Sequence, residues 1–239
     1  MSMSKVTKRG FDENDKRWFS NKEQLRLKKA KEEIEWLISR EYKMEHVIKF
    51  VGDRYQFSIR QRDALKRGAC SEESKLIRNK KRLPLDKLEE GAINIDGFNL
   101  LITLEVALSG GTLVIGSDGC IRDLAGLRGT YKIIDKTERA LKIIGEFLNK
   151  YNCKNVVFYL DSPVSNSGNL KHKILEYSKE WNIDVEVKLV NNADVILENL
   201  DRVVSTDAVI IDKCTNYFNM AREIVENYID EANIVNLEK

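Results

Sequence analysis

An α/β fold preceded by a small all-helical unit is predicted for this chain of 239 residues. Three observations predict it. From residue 91 onward, short β-branched runs alternate with amphipathic helical stretches, the pattern of a mainly parallel, three-layer sheet with crossover helices. Before residue 84 the apolar residues recur only at spacings of three and four. The charge also changes sign at that point. Residues 1–90 carry 24 Lys and Arg against 16 Asp and Glu, and residues 91–239 carry 16 against 22. The reading is therefore a basic helical domain over 1–83 and an acidic α/β domain over 91–239.

Residues 1–19 are polar and weakly periodic, which predicts a loose arm. Ser20 and Glu23 form a Ser-x-x-Glu signature opening a helix with Leu27, Ala30, Ile34, Leu37 and Ile38 on one stripe. Met44, Val47, Ile48 and Val51 mark a second helix ending near Gly52. Ser58 and Gln61 open a third through Arg67, with Gly68 as its stop. A fourth starts at Ser71 and ends before Pro84. The second and third helices have helix-turn-helix spacing, which would turn Arg60, Arg62 and Lys66 toward nucleic-acid phosphates. Arg and Lys in a last turn also complement the helix dipole without any ligand.

Ile93 and Ile95 read as a first strand, with Asp96 at its end and Gly97 permitting a tight turn into the helix Leu100–Leu108. Thr112–Ile115 is a second strand, followed by Asp118 and a long loop over 120–131 holding Arg122 and Arg128. A helix begins at Asp135. Val156–Leu160 is the clearest strand and stops at Asp161-Ser162-Pro163, ahead of the helix Leu170–Trp181. Val185–Val190 reads as an edge strand and Ala193–Leu200 as a short helix. Two β-branched runs, 202–205 and 208–211, flank Thr206-Asp207. A helix over Tyr217–Tyr228 and a strand at Ile234-Val235 close the chain.

Composition excludes several classes. No apolar run approaches the roughly 20 residues of a membrane span, and the N-terminal stretch has no apolar signal core, so a cytoplasmic protein is expected. Four cysteines without a Cys-x-x-Cys pair fit neither a zinc site nor a disulfide framework. There is no Gly-rich phosphate loop, no dinucleotide fingerprint and no His-Glu-x-x-His. With two histidines and no Gly-x-Ser-x-Gly elbow, a serine triad has no support.

What remains is acid chemistry. Asp96, Asp118 and Asp161 each follow a strand, and Asp207 follows a Ser-Thr step. In a parallel sheet such ends share one edge, so carboxylates remote in sequence can converge. Crowded carboxylates raise one another's pKa unless a cation neutralises them. Oxygen ligands of this kind suit Mg²⁺ or Mn²⁺, which activate water and offset phosphate charge. Each of these acids could instead cap the helix that follows it.

The run Ile95-Asp96-Gly97-Phe98-Asn99 resembles the opening Asp-x-x-Asn of PIN-like and NYN ribonuclease domains. Ala193-Asp194-Val195 and Val203-Val204-Ser205-Thr206-Asp207 are similar to those domains' second acid and Ser-x-Asp turn, although Ala208-Val209 replaces the usual second Asp of that turn. The resemblance covers 91–239. It implies a PIN-like, Rossmann-like sheet and a Mg²⁺- or Mn²⁺-dependent nuclease cleaving RNA. Asp161-Ser162-Pro163 is not a hallmark of those domains, but taken together with the strand-end acids the reading makes Asp96, Asp161 and Asp207 catalytic metal ligands, with Asp118 and Asp194 as further ligands. Asn99, Ser162 and Ser205 would orient them, and Arg122, Arg128, Arg60, Arg62 and Lys66 would hold the phosphate backbone. The whole chain, through Gly52-Asp53-Arg54-Tyr55-Gln56, Arg60-Gln61-Arg62 and the segment Gly116–Asp123, also resembles an archaeal and bacterial two-domain family of unknown function. The alternative to a nuclease is a non-catalytic nucleic-acid-binding or nucleotide-sensing module.

Overall fold

The computed structural model describes residues 7–126 and 129–238. The front consists of α1 (Asp15–Trp18), α2 (Asn21–Ile38), α3 (Met44–Arg54), α4 (Ile59–Gly68) and α5 (Glu72–Lys81). Leu27, Ala30 and Ile34 of α2 are fully buried, as the spacing requires. The Ser58–Gln61 capping box is present at α4. The expected Ser20–Glu23 box is not. Glu23 turns aside to Arg26 at 2.7 Å and accepts from the Gln61 amide at 3.1 Å.

Residues 7–19 are not a loose arm. Arg9, Asp15 and Phe19 are buried, and Arg9 pairs with Glu105 in the α/β part at 3.1 Å. A charge excluded from water persists only with such a partner. Residues 1–6 of the expected arm lie outside the described residues.

A 3-10 turn (Leu85–Glu90) leads into β1 (Ile93–Asp96), α6 (Gly97–Leu108), β2 (Thr112–Ile115), β3 (Ile121–Asp123) and α7 (Asp135–Lys150). Then come β4 (Asn155–Asp161), α8 (Ser167–Ser178), β5 (Asp184–Val190), α9 (Ala193–Leu197), β6 (Val203–Val204), α10 (Ala208–Lys213), α11 (Met220–Tyr228) and β7 (Asn233–Asn236). The described strands form two sheets rather than one. A four-stranded parallel sheet runs β5-β4-β1-β6, and a smaller one runs β3-β2-β7. In the latter, β2 and β7 are parallel, but β3 returns antiparallel within the stretch expected as loop. Of the two β-branched runs around Thr206-Asp207, the first contains β6 and the second is helix α10, capped by the Asp207 carboxylate.

Alternation along the strands separates two cores. Ile93, Ile95, Val156, Phe158, Leu160 and Val204 enter a large cluster with α6, α7, α8 and α11. Tyr159 and Val203, on the other face, join a second cluster with α9 and α10. Helices thus cover both faces of the parallel sheet. The helical front shares its core with the α/β part. Its apolar stripe is completed by Val114, Leu124, Val235 and Leu237 from the smaller sheet and its surroundings. Gly97 opens α6 against β4, where a Cβ would meet Leu160 Cδ2 at 2.6 Å. Close helix–strand approach, and not a turn, is what requires the glycine.

Candidate functional site

Within the parallel sheet, chain order doubles back at β1: β4 and β5 lie to one side and β6 to the other. Such a switch point leaves a crevice at the carboxyl ends of the strands. Asp96 ends β1 there. Its Oδ1 accepts from the Asn99 amide at 3.2 Å, capping α6, and its Oδ2 accepts from the Ser205 hydroxyl at 2.9 Å. Ser205 Oγ in turn accepts from the Asp207 amide at 3.1 Å. The Asn99 carboxamide oxygen accepts from both the amide and the hydroxyl of Thr206, each at 2.9 Å. The Ser205–Asp207 turn is thereby fastened to the start of α6.

Asp161 ends the neighbouring β4, and its Oδ1 accepts from the Ala193 amide at 2.7 Å, setting the first turn of α9 and the adjacent Asp194 beside it. Burial pushes the Asp96 carboxyl up to about 7, and the charges of Asp194 and Asp207 add to the rise that the Ser205 and Asn99 hydrogen bonds oppose. Asp194 is also raised, by partial burial and then by Asp207, Asp161 and Glu198. None of Asp96, Asp161, Asp194 and Asp207 forms an ion pair among the described residues. The charges of Asp194 and Asp207 act on Asp96, and those of Asp207 and Asp161 act on Asp194, so four carboxylates from remote segments are coupled at this end of the sheet. Their separation still leaves no group of three or more His, Cys, Asp or Glu among the described residues that closes on a metal directly.

Other expected site residues lie elsewhere. Asp118 is not with these acids. It sits in the β2–β3 turn, capping the Cys120 amide at 3.1 Å, and its carboxylate is clasped by Arg122 at 2.9 and 2.6 Å and by Arg78 at 2.6 Å. Burial would raise this carboxyl, but the two guanidiniums override it and hold it well below the usual range. Arg122 is buried and spent on Asp118 and on the Thr206 carbonyl, which its Nε reaches at 2.7 Å, so it is not a free phosphate ligand. Arg60 is bidentate to Asp15 and also donates to the Gly10 and Leu124 carbonyls. Arg62 is held by Asp53 and the Phe57 carbonyl. Both clamp the helical front together rather than facing a ligand. The Ser162 hydroxyl points to Asn191 at 3.4 Å instead of orienting an acid. Arg128 lies outside the described residues.

Two features escaped the sequence reading. Thr206 binds Asn99 twice, and its place between Ser205 and Asp207 was the available signal. The chain Asp212–Arg78–Asp118–Arg122–Thr206, buried except at Asp212, links α5 to the turn bearing Asp207. Its signal was an Asp four residues before an Arg in an otherwise apolar hairpin, where an unpaired charge could not stay buried. A groove of about 690 Å³ runs between the helical front and the turn, lined by Lys66 and Arg67 of α4, by Arg78 and Arg122 of this link, and by Thr206 and Asp207.

Comparison with known sequences follows this division. Residues 85–223 match a family described as a domain of unknown function (DUF5616). The chain belongs to the DUF5616 family. Residues 26–81 match a second description, a protein of unknown function (DUF434), so the two matches meet in the segment before the 3-10 turn. An uncharacterised protein of Methanocaldococcus jannaschii is 37% identical over 187 residues, spanning 78% of this chain and 89% of the relative. No solved structure matches the chain. No helix among the described residues of this DUF5616 member is long and apolar enough to cross a membrane.

Proposed function

We propose that the carboxylates at the switch point are the centre of a divalent-metal-dependent nuclease acting on RNA in the cytoplasm, within a PIN-like α/β domain. The observation that carries this reading is the electrostatic coupling of Asp96, Asp161, Asp194 and Asp207 at one end of the sheet, none of them in an ion pair among the described residues. Keeping a carboxyl fully buried beside two others is unfavourable for folding alone. The donor set is all oxygen, which fits Mg²⁺ or Mn²⁺. Such ions keep several waters and take only one or two protein carboxylates, so wide spacing of the acids is compatible with them. When bound, the ion would supply an activated water and offset charge on the phosphodiester.

The chain's own residues have distinct parts in this reading. Ser205 Oγ bonds the Asp96 carboxyl and the Asp207 backbone amide, and the carboxylates of Asp96 and Asp207 would provide direct ligation. Asp161 fixes Asp194 through the Ala193 amide. Ser205 donates to Asp96 and so fixes the orientation of its carboxyl group. Mn²⁺ binding measured by calorimetry should be detectable in the wild type and lost in Asp207→Asn. Equal binding by both proteins would remove the basis for the site.

The absence of three directly converging ligands among the described residues favours one other reading, a non-catalytic module that binds nucleic acid or senses a nucleotide. That reading predicts ligand binding that is indifferent to Mn²⁺ and no strand cleavage.

A further inference from the structure

Of the acids at the switch point, Asp207 lines the groove, whose surface is mixed. Ile38, Tyr42, Met44 and Leu124 contribute apolar and aromatic surface, and Tyr42 is 60% exposed. Lys66 and Arg67 follow on α4, both exposed and in no ion pair among the described residues. The Arg67 carbonyl accepts from Arg122 at 3.2 Å, and Arg122 donates to the Thr206 carbonyl, so this wall leads by two hydrogen bonds to the turn bearing Asp207. Asp63, one turn earlier on α4, offsets part of the positive charge. Arg78 and Arg122 also line the groove, but Asp118 and Asp212 already neutralise them.

We propose that this groove holds one unpaired nucleic-acid strand, with a base against Tyr42, backbone phosphates on Lys66 and Arg67, and the strand continuing to Asp207. The assignment deepens the nuclease reading and takes from it only the direction of the strand toward the acids. A void of this size is on the scale of pockets that enclose a single small molecule, roughly 300–1,000 Å³. It admits a nucleotide or two of one strand and excludes a duplex. Proteins that bind single strands combine cations that follow the backbone with aromatic rings on which bases stack, and both elements line this groove. The helical front would then complete the substrate site of the α/β part, and the ion-pair chain from α5 to Thr206 would keep the two walls in register.

The test is fluorescence anisotropy of a short labelled oligouridylate with the full chain in EDTA, so that binding is read without cleavage. Lys66→Glu with Arg67→Glu should weaken binding at least tenfold and make the log–log salt dependence shallower by about 1.4, since each single-strand phosphate contact contributes about 0.7. Tyr42→Ala should weaken it by roughly tenfold, and Asp63→Asn should tighten it. The control pair Lys22→Glu with Lys29→Glu makes the same charge change on exposed positions of α2 and should leave affinity within about threefold, a bound set by the weak pull of distant screened charges. A self-complementary duplex of the same length should bind more weakly than the single strand. DNA and RNA versions of the oligonucleotide identify which sugar the groove accepts. Equal weakening by the two charge-reversal pairs, equal affinity for the duplex, or no binding by wild type would each overturn the assignment. Groove-dependent binding without cleavage once Mn²⁺ is added would support the groove and overturn the nuclease reading alone.

Discussion

Replacing Asp96 by Asn tests the acid site through folding stability, independently of any substrate. The carboxyl is raised from 3.8 to about 7, chiefly by burial and then by Asp194 and Asp207. At about 1.4 kcal/mol per pKa unit, the ionised form costs the folded state about 4 kcal/mol. The sign follows from linkage. Below pH 3.8 the group is protonated in both folded and unfolded chains and costs nothing. As pH rises toward 7 the folded protein holds a proton that the unfolded chain has released, so stability falls through this window and the loss is complete above it. Asn never ionises, and its carbonyl oxygen can accept from the Asn99 amide while its amide donates to Ser205 Oγ. In EDTA the variant should match wild type near pH 4 and exceed it at pH 8 by up to about 4 kcal/mol, or roughly 10 °C in a chain of this size. Urea unfolding across that pH range reads the difference. A variant less stable than wild type at pH 8, or a difference that does not change with pH, would refute the claim that Asp96 is a repelled, buried acid.

Asp118→Asn should behave oppositely, because it leaves Arg78 and Arg122 without their shared partner. A loss of about 3–5 kcal/mol at neutral pH is expected, read by chemical denaturation. Because Asp118 is held below the ordinary carboxyl value of 3.8, its contribution in wild type is present above that value and fades as pH falls beneath it. The variant should therefore show a flatter acid limb. Limited proteolysis should spare residues 83–91, since the Leu83 amide bonds Tyr217, Leu88 is fully buried and Arg202 grips the carbonyls of Lys87, Leu88 and Gly91. Rapid cleavage there with release of a stable α/β fragment would show that the shared core contributes little. Gly97→Ala should cost about 1–3 kcal/mol by overpacking against Leu160, and a variant as stable as wild type would mean that α6 shifts freely.

The parts of the fold visible in the sequence were those with local causes. Ile93, Ile95 and Val156–Leu160 announce strands because β-branched and apolar runs have few other uses at that length. Ser58 and Gln61 announce a helix start because their bonds are made within one turn. Pairing between elements was not visible. Nothing local shows that β2 and β7 leave the parallel sheet, or that Val114 and Val235 complete the core of the helical front. Ala208–Ile211 could not be assigned from its residues, because only the cap supplied by Asp207 makes this β-branched run a helix. At the site, acids that end strands were legible as a set, but their partners were not. Asp118 looked like the others in sequence and differs only because Arg78 and Arg122 reach it in space.

The central claim is that the acids at the switch point support metal-dependent cleavage of RNA. The most direct measurement is gel analysis of an end-labelled single-stranded RNA incubated with the full chain, first in EDTA and then with excess Mn²⁺, alongside Asp207→Asn. Wild type should leave the strand intact in EDTA and cut it once Mn²⁺ is in excess. Asp207→Asn, which retains an oxygen to cap α10, should remain folded and cut more slowly by orders of magnitude. Intact RNA under every condition, or equal cutting by the variant, would contradict the account.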